Sequence, residues 1–83
     1  MKNLVITYDT LQNGKSGEAC VSIPIDDEQA ERIKAAFDGS AVISKREAFD
    51  LRDAVRGFVK FCERARGREY VSDSIKTVEV KEV

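Results

Sequence analysis

The sequence predicts an α+β fold: a two-layer ββααβ domain in which a small three-stranded, mainly antiparallel sheet carries two helices on one face. Three observations predict it. The first and last segments alternate apolar and polar residues, as half-buried strands do. An Asn-Gly pair separates the first two of these segments, and two helix start signals follow them. The chain has only 83 residues, so we expect residues 1–83 to form a single domain.

The first predicted strand covers residues 2–11, with Leu4, Ile6 and Tyr8 on one face. Residues 13–17 contain two glycines and the Asn-Gly pair, which adopt positive φ at low cost and let the chain reverse. This segment also contains a Gly-Lys-Ser triplet, but a phosphate-binding loop joins a strand to a helix. A strand follows here, so we interpret the segment as a hairpin turn.

The second and third strands are predicted over residues 18–25 and 75–83. Pro24 cannot donate a backbone hydrogen bond, so this end of the second strand should be an edge. If the two helices are antiparallel, the third strand runs opposite to the second. It then pairs with the second strand antiparallel, which we favour, or with the first strand parallel.

Both helices begin at recognisable caps. Asp26 can cap a helix of about eleven residues that ends at Gly39. Ser44 and Glu47 form a capping box, so the second helix should begin at Lys45, and Gly67 should close it. The predicted apolar stripe of this second helix consists of Ala48, Leu51, Val55, Phe58, Cys62 and Ala65, widened by Ala54 and Phe61.

The composition argues against most enzyme chemistry. The chain has no histidine, so the commonest general base and metal ligand is missing, and its two cysteines are too few for a four-ligand zinc site. The acidic run at residues 26–28 lacks the alternating ligand spacing of a calcium loop. We therefore predict no enzymatic activity, no metal and no cofactor.

The charge is balanced overall but unevenly distributed. Residues 1–43 carry 4 basic and 7 acidic side chains, a net charge of −3, whereas residues 44–83 carry 10 basic and 8 acidic ones, a net charge of +2. A net charge of −1 for the whole chain does not favour nonspecific binding to nucleic acid or membranes. No apolar run is long enough to span a membrane, and the two widely spaced cysteines suit a reducing compartment. We expect a cytoplasmic protein.

Two surfaces are candidates for binding. The first is a basic ridge on the second helix, formed by residues four positions apart and flanked by Phe49, a candidate anchor. The same pattern is typical of a solvated helix face. The ridge consists of Arg52, Arg56, Lys60, Arg64 and Arg68. The second surface is the reverse of the sheet, a candidate homodimer face. It is predicted to carry Val5, Thr7, Cys20, Ser22, Ile75 and Thr77.

These features favour a non-enzymatic small binding protein that acts through protein–protein contacts. Phage or mobile-element inhibitors of host machinery are one example of such proteins, by analogy only. One alternative is an accessory protein that binds nucleic acid through the basic ridge, and its affinity should then fall steeply with salt. Another is a structural subunit that dimerises through the sheet.

Overall fold

The computed structural model describes residues 1–82 and confirms the predicted fold class. An antiparallel sheet carries two helices over one face. The third predicted strand is shorter than expected, and Val83, its last residue, lies outside the described residues. The elements are β1 (Lys2–Gln12), β2 (Lys15–Ile25), α1 (Asp27–Asp38), α2 (Lys45–Ala65), the short β3 (Glu69–Tyr70) and β4 (Thr77–Glu82).

The hairpin between β1 and β2 is tighter than predicted. Its turn consists of Asn13 and Gly14 alone, with φ values of 53° and 77°, and Gln12 pairs with Lys15 directly after it. Two positive φ values are characteristic of a type I′ turn, whose twist matches that of the flanking strands. β2 therefore begins at Lys15, three residues earlier than expected.

The favoured pairing of the last strand with the second is wrong, because β1 is the central strand. The alternative, pairing with the first strand, has the right neighbour but the wrong, parallel, direction. β2 pairs with one side of β1 and β4 with the other, both antiparallel. The prediction assumed antiparallel helices that return the chain to the end of the sheet where it left. Instead, α2 runs towards the hairpin end of the sheet, where its residue Glu63 contacts Tyr8. The last strand therefore starts from that end and runs opposite to β1.

The helix ends agree with the predicted signals. An Oδ1 of Asp26 accepts a hydrogen bond from the backbone N–H of Gln29 at 2.9 Å, and Gly39 closes α1 with φ 71°. Ser44 Oγ accepts from the backbone N–H of Glu47 at 3.1 Å. The two helices start and stop where the sequence indicates because these caps satisfy backbone groups that the helices leave unpaired.

The core lies between the sheet and the two helices. Leu4, Ile6 and Tyr8 of β1 are fully buried, as their alternation predicts. Ala30, Ile33 and Ala36 form the buried face of α1. The central cluster consists of Leu4, Ile6, Tyr8, Val21, Ile33, Val55, Val59 and Val78.

The predicted apolar stripe of α2 is partly wrong. The buried residues of α2 are Ala48, Val55, Val59 and Glu63. Phe58 and Phe61 are 41% and 69% exposed, and Ala54 and Ala65 are exposed as well. The sequence carries two neighbouring apolar stripes, and the prediction merged them. The stripe that packs on the sheet uses the compact Val59 and the hydrogen-bonded Glu63, and this leaves the second stripe in solvent.

Candidate binding surface on α2

An open groove runs between α2 and the chain that follows it, residues 68–73, with a volume of about 710 Å³. We call it the basic groove because Arg56, Lys60 and Arg64 line it. None of these three side chains makes an ion pair within residues 1–82. The groove also contains carboxylates, so its lining is mixed in charge. These carboxylates belong to Asp53, Glu69 and Asp73.

The predicted basic ridge divides into three parts. Arg52, at its start, is half-buried and donates from Nη1 to the backbone oxygen of Ala36 in α1 at 2.9 Å. Arg68, at its end, is held by Glu63. The middle residues, Arg56, Lys60 and Arg64, line the groove without an ion-pair partner among residues 1–82, and Arg68 borders it as well. Each step of four residues turns about 40° around the helix, so the ridge passes from the contact with α1 into solvent.

Phe49 lies on the same helix face as Arg56, two turns earlier, and it is 57% exposed. The sequence has four phenylalanines, and three of them, Phe49, Phe58 and Phe61, are exposed. Large aromatic side chains usually contribute to the core or to an interface. This helix therefore presents aromatic surface beyond what the core uses.

A buried ionic cluster, which the sequence analysis missed, joins α2 to the sheet. Glu63 is fully buried, and it accepts hydrogen bonds from the hydroxyl of Tyr8 and, at 2.8 Å, from Thr10 Oγ1. Arg68 donates to both of its oxygens, from Nε at 2.7 Å and from Nη2 at 3.0 Å, and Arg66 Nη1 donates at 3.3 Å. We call these five residues the Glu63 cluster. It ties the end of α2 to β1.

The cluster keeps Glu63 ionised. Burial raises the pKa of its carboxyl, but hydrogen bonds from Arg68, Tyr8 and Thr10 outweigh burial and lower the pKa from 4.5 to about 2. Burial and the neighbouring Glu63 carboxylate raise the pKa of the Tyr8 phenol above its usual range. At neutral pH the Glu63 carboxyl is therefore ionised and accepts hydrogen bonds, and the Tyr8 phenol is protonated and donates one. Glu63 has no exposed surface, so a substrate cannot reach it, and the cluster is a structural one.

The feature of the sequence that indicates the burial of Glu63 is its spacing. Glu63 follows Val55 and Val59 at successive steps of four, which continues the buried face of α2 by one turn. Charged residues are rarely buried unless they are paired. Pattern alone therefore favoured a surface position, because the partners Tyr8 and Thr10 lie more than fifty residues away in the chain.

Tyr70 lies beside this cluster, with its ring edge-on to Tyr8 at a centroid distance of 5.7 Å. Its buried hydroxyl has no hydrogen-bond partner among residues 1–82. An unsatisfied buried hydroxyl costs stability, whereas a satisfied one contributes. The two tyrosines therefore differ in whether the buried hydroxyl has a hydrogen-bond partner, and each serves as a control for the other.

Tyr70→Phe is expected to leave the free energy of unfolding unchanged or to raise it by up to about 1 kcal/mol. Tyr8→Phe is expected to lower it by about 1.5 to 3 kcal/mol, because it removes a hydrogen bond to a buried carboxylate. Urea denaturation of both variants measures the difference. Equal losses in the two variants would show that the tyrosine hydroxyls are not distinguished in this way.

The reverse of the sheet is more polar than the sequence analysis expected. Val5 and Thr7 are half-buried, whereas Cys20, Ser22 and Thr77 are exposed. The placement of Ile75 was wrong: it precedes β4 and packs against the core cluster, beside Phe37 of α1. The physical reason is that β4 starts only at Thr77, so residue 75 does not follow the alternation of the strand.

Ion pairs run across this reverse face, from the residue before β4 to β1 and β2. Lys76 Nζ lies 2.9 Å from an oxygen of Asp9 and 3.0 Å from one of Glu18. The hydrogen bonds to these carboxylates raise the pKa of Lys76. A dimer through this face would have to accommodate these charges, which makes it a weaker candidate than an apolar sheet.

Several features that commonly assign a function are absent from residues 1–82. They contain no group of three or more histidine, cysteine or acidic residues placed to hold a metal ion. None of their helices is long and apolar enough to cross a membrane. Cys20 and Cys62 are free thiols. Comparison with protein-family models, with curated proteins and with solved structures finds no match for this chain.

Proposed function

We propose that the protein is a non-enzymatic binding protein whose basic groove receives an acidic segment of another protein. The observation that carries the proposal is the set of three cations, Arg56, Lys60 and Arg64, that share one open groove without an ion-pair partner among residues 1–82. Complementary charge on a partner directs encounter and sets specificity. Phe49, exposed on the same face, supplies an apolar anchor at one end.

The mixed lining favours a protein over a nucleic acid. A nucleic-acid backbone presents phosphates at every nucleotide, and in this groove it would also meet the carboxylates of Asp53, Glu69 and Asp73. A polypeptide can place its own basic side chains opposite these carboxylates and its acids opposite the cations. The net charge of −1 for the whole chain points the same way.

A protein of this kind acts by occupying a surface of its partner. Inhibition of host machinery by a phage or mobile-element protein is one example of such an action. We expect the protein to act in the cytoplasm. The side chains that bind belong to one helix, so the backbone that carries them is already ordered, and the entropy lost on docking is that of the arginine and lysine side chains.

The test compares two variants with the same change in charge. Arg56→Gln/Lys60→Glu lowers the net charge by three in the groove, and Lys15→Glu/Lys45→Gln lowers it by three at exposed positions outside it. The probes are a fluorescent peptide of alternating acidic and aromatic residues and a single-stranded oligonucleotide of equal charge. We expect the groove variant to bind the peptide at least about tenfold more weakly and the control variant to bind within about twofold of wild type.

The oligonucleotide separates the two classes of partner. Protein binding predicts that the peptide binds more tightly than the oligonucleotide. If only the oligonucleotide binds, with an affinity that falls steeply between low and physiological salt, the nucleic-acid alternative replaces the proposal. Equal peptide affinity of both variants contradicts a role for the groove.

A further inference from the structure

α2 exposes a second apolar stripe that borders the basic groove, since Phe61 adjoins Lys60 and Arg64. Its members are spaced by 3, 4, 3 and 4 residues, the spacing with which helices pair along a seam. Phe58 and Phe61 are 41% and 69% exposed in it, and Leu51, which is half-buried because it also packs against the core cluster, continues it towards the start of the helix. We call this stripe the α2 seam. It consists of Leu51, Ala54, Phe58, Phe61 and Ala65.

Gly57 lies beside the seam, in the middle of the helix. A glycine there destabilises a helix by about 1 kcal/mol relative to alanine. Nothing in the described chain lies within 4 Å of the position that a Cβ of Gly57 would occupy, so packing within the chain does not require a glycine. A glycine at a helix surface allows another backbone to approach closely. It therefore marks the point where a second helix would cross most closely.

We propose that the α2 seam is a homodimer interface, in which α2 of a second copy lies antiparallel to α2 with Gly57 at the two-fold axis. In this register, Phe58 faces Ala54 of the second copy, and Phe61 faces its Leu51. Each large side chain meets a smaller one, and the layers can interdigitate. The two-fold symmetry repeats every contact, as an isologous dimer requires.

The charges that flank the seam are complementary to themselves. Asp50 and Arg64 lie seven residues before and seven after Gly57, on the flank position that borders a helix seam. Both are exposed, and neither makes an ion pair within residues 1–82. An antiparallel pair centred on Gly57 places each Asp50 opposite Arg64 of the other copy, and this happens twice. This complementarity favours a second copy of the chain as the partner that covers the α2 seam, with its α2 antiparallel.

The dimer shares Gly57 and Arg64 with the lining of the basic groove. Arg56 and Lys60 take no part in the seam, so substitutions there and in the seam test the two proposals separately. Loss of peptide binding in Arg56→Gln/Lys60→Glu with an intact dimer would concern the groove alone. Loss of the dimer with intact peptide binding would concern the seam alone.

The test is the mass of the full chain in solution, measured by sedimentation equilibrium from about 1 μM to about 500 μM, a range that brackets micromolar affinity. We expect the mass to rise from the 9.3 kDa of one chain to about twice that value. Phe61→Glu should weaken the dimer by about thirtyfold or more. The control is Val42→Glu, which charges an apolar residue that is 83% exposed outside α2, and it should leave the dimer unchanged.

A charge exchange tests the antiparallel register. Asp50→Arg and Arg64→Asp should each weaken the dimer by bringing like charges together, and the double variant should restore it. Circular dichroism of each variant shows that the monomer is folded. A protein that stays monomeric throughout the range, a dimer that survives Phe61→Glu, or a double variant as weak as the single ones would each overturn the proposal.

Discussion

Glu63→Leu is expected to lower the free energy of unfolding by about 3 kcal/mol, because it breaks the Glu63 cluster from its centre. Leucine has a similar volume, so a cavity is not the main effect. The loss comes from the Tyr8 hydroxyl, which is fully buried and would have no acceptor, and from Arg68, which would lose both carboxylate oxygens. Removal of one member of a buried ionic group commonly costs about 3 to 5 kcal/mol. Thr10 keeps an acceptor, the backbone oxygen of Glu69 at 3.1 Å.

The same argument predicts a rescue. In Tyr8→Phe/Glu63→Leu no buried hydroxyl is left unsatisfied at this point, and apolar groups of similar shape replace the polar pair. The guanidinium of Arg68 still lacks its carboxylate in this variant, so the double variant should recover only part of the loss, about 1 to 2 kcal/mol. The control is Glu28→Leu on the exposed side of α1, which we expect to change the free energy of unfolding only slightly. Chemical denaturation measures all four proteins, with sodium sulfate added if the single variant is partly unfolded. Full stability of Glu63→Leu would contradict the assigned role.

Much of the fold follows from local signals in the sequence. Asp26 and Ser44 accept the hydrogen bonds expected of helix caps, and Asn13 with Gly14 forms the turn. These signals act between neighbours in the chain, so a single sequence contains them. The direction of the last strand depends instead on how α2 runs relative to the sheet. That direction is set by contacts such as Glu63 with Tyr8, which local patterns do not encode.

The binding surface was predictable only in outline. The four-residue spacing of the ridge correctly places Lys60 and Arg64 on the exposed side of α2. It does not reveal that Arg52 is used by α1, since a backbone oxygen of another helix is its partner. Phe58 was assigned to the core because an apolar residue at helical spacing fits either of two adjacent stripes. Which stripe packs inside depends on the sheet beneath it.

The second large effect expected is on the acid stability of the protein. The pKa of Glu63 is about 2 in the folded protein and 4.5 is its ordinary value, which we take for the unfolded chain. A group whose pKa is lowered by folding stabilises the native state above its unfolded pKa, and this contribution is lost as the pH falls towards the folded pKa. Stability should therefore decline between about pH 4.5 and pH 2. A difference of this size corresponds to about 3 kcal/mol.

Glu63→Gln isolates this contribution, because glutamine is nearly isosteric and does not titrate. Other carboxylates titrate in both proteins, so they cancel when the two stability curves are subtracted. We expect wild type to exceed Glu63→Gln most at neutral pH, with a difference that shrinks as the pH falls from 4.5 to 2. Urea denaturation at a series of pH values gives both curves. A difference that stays constant across this range would mean that the Glu63 carboxyl has the same pKa in the folded and unfolded chain, in conflict with the hydrogen bonds from Arg68, Tyr8 and Thr10 that lower it.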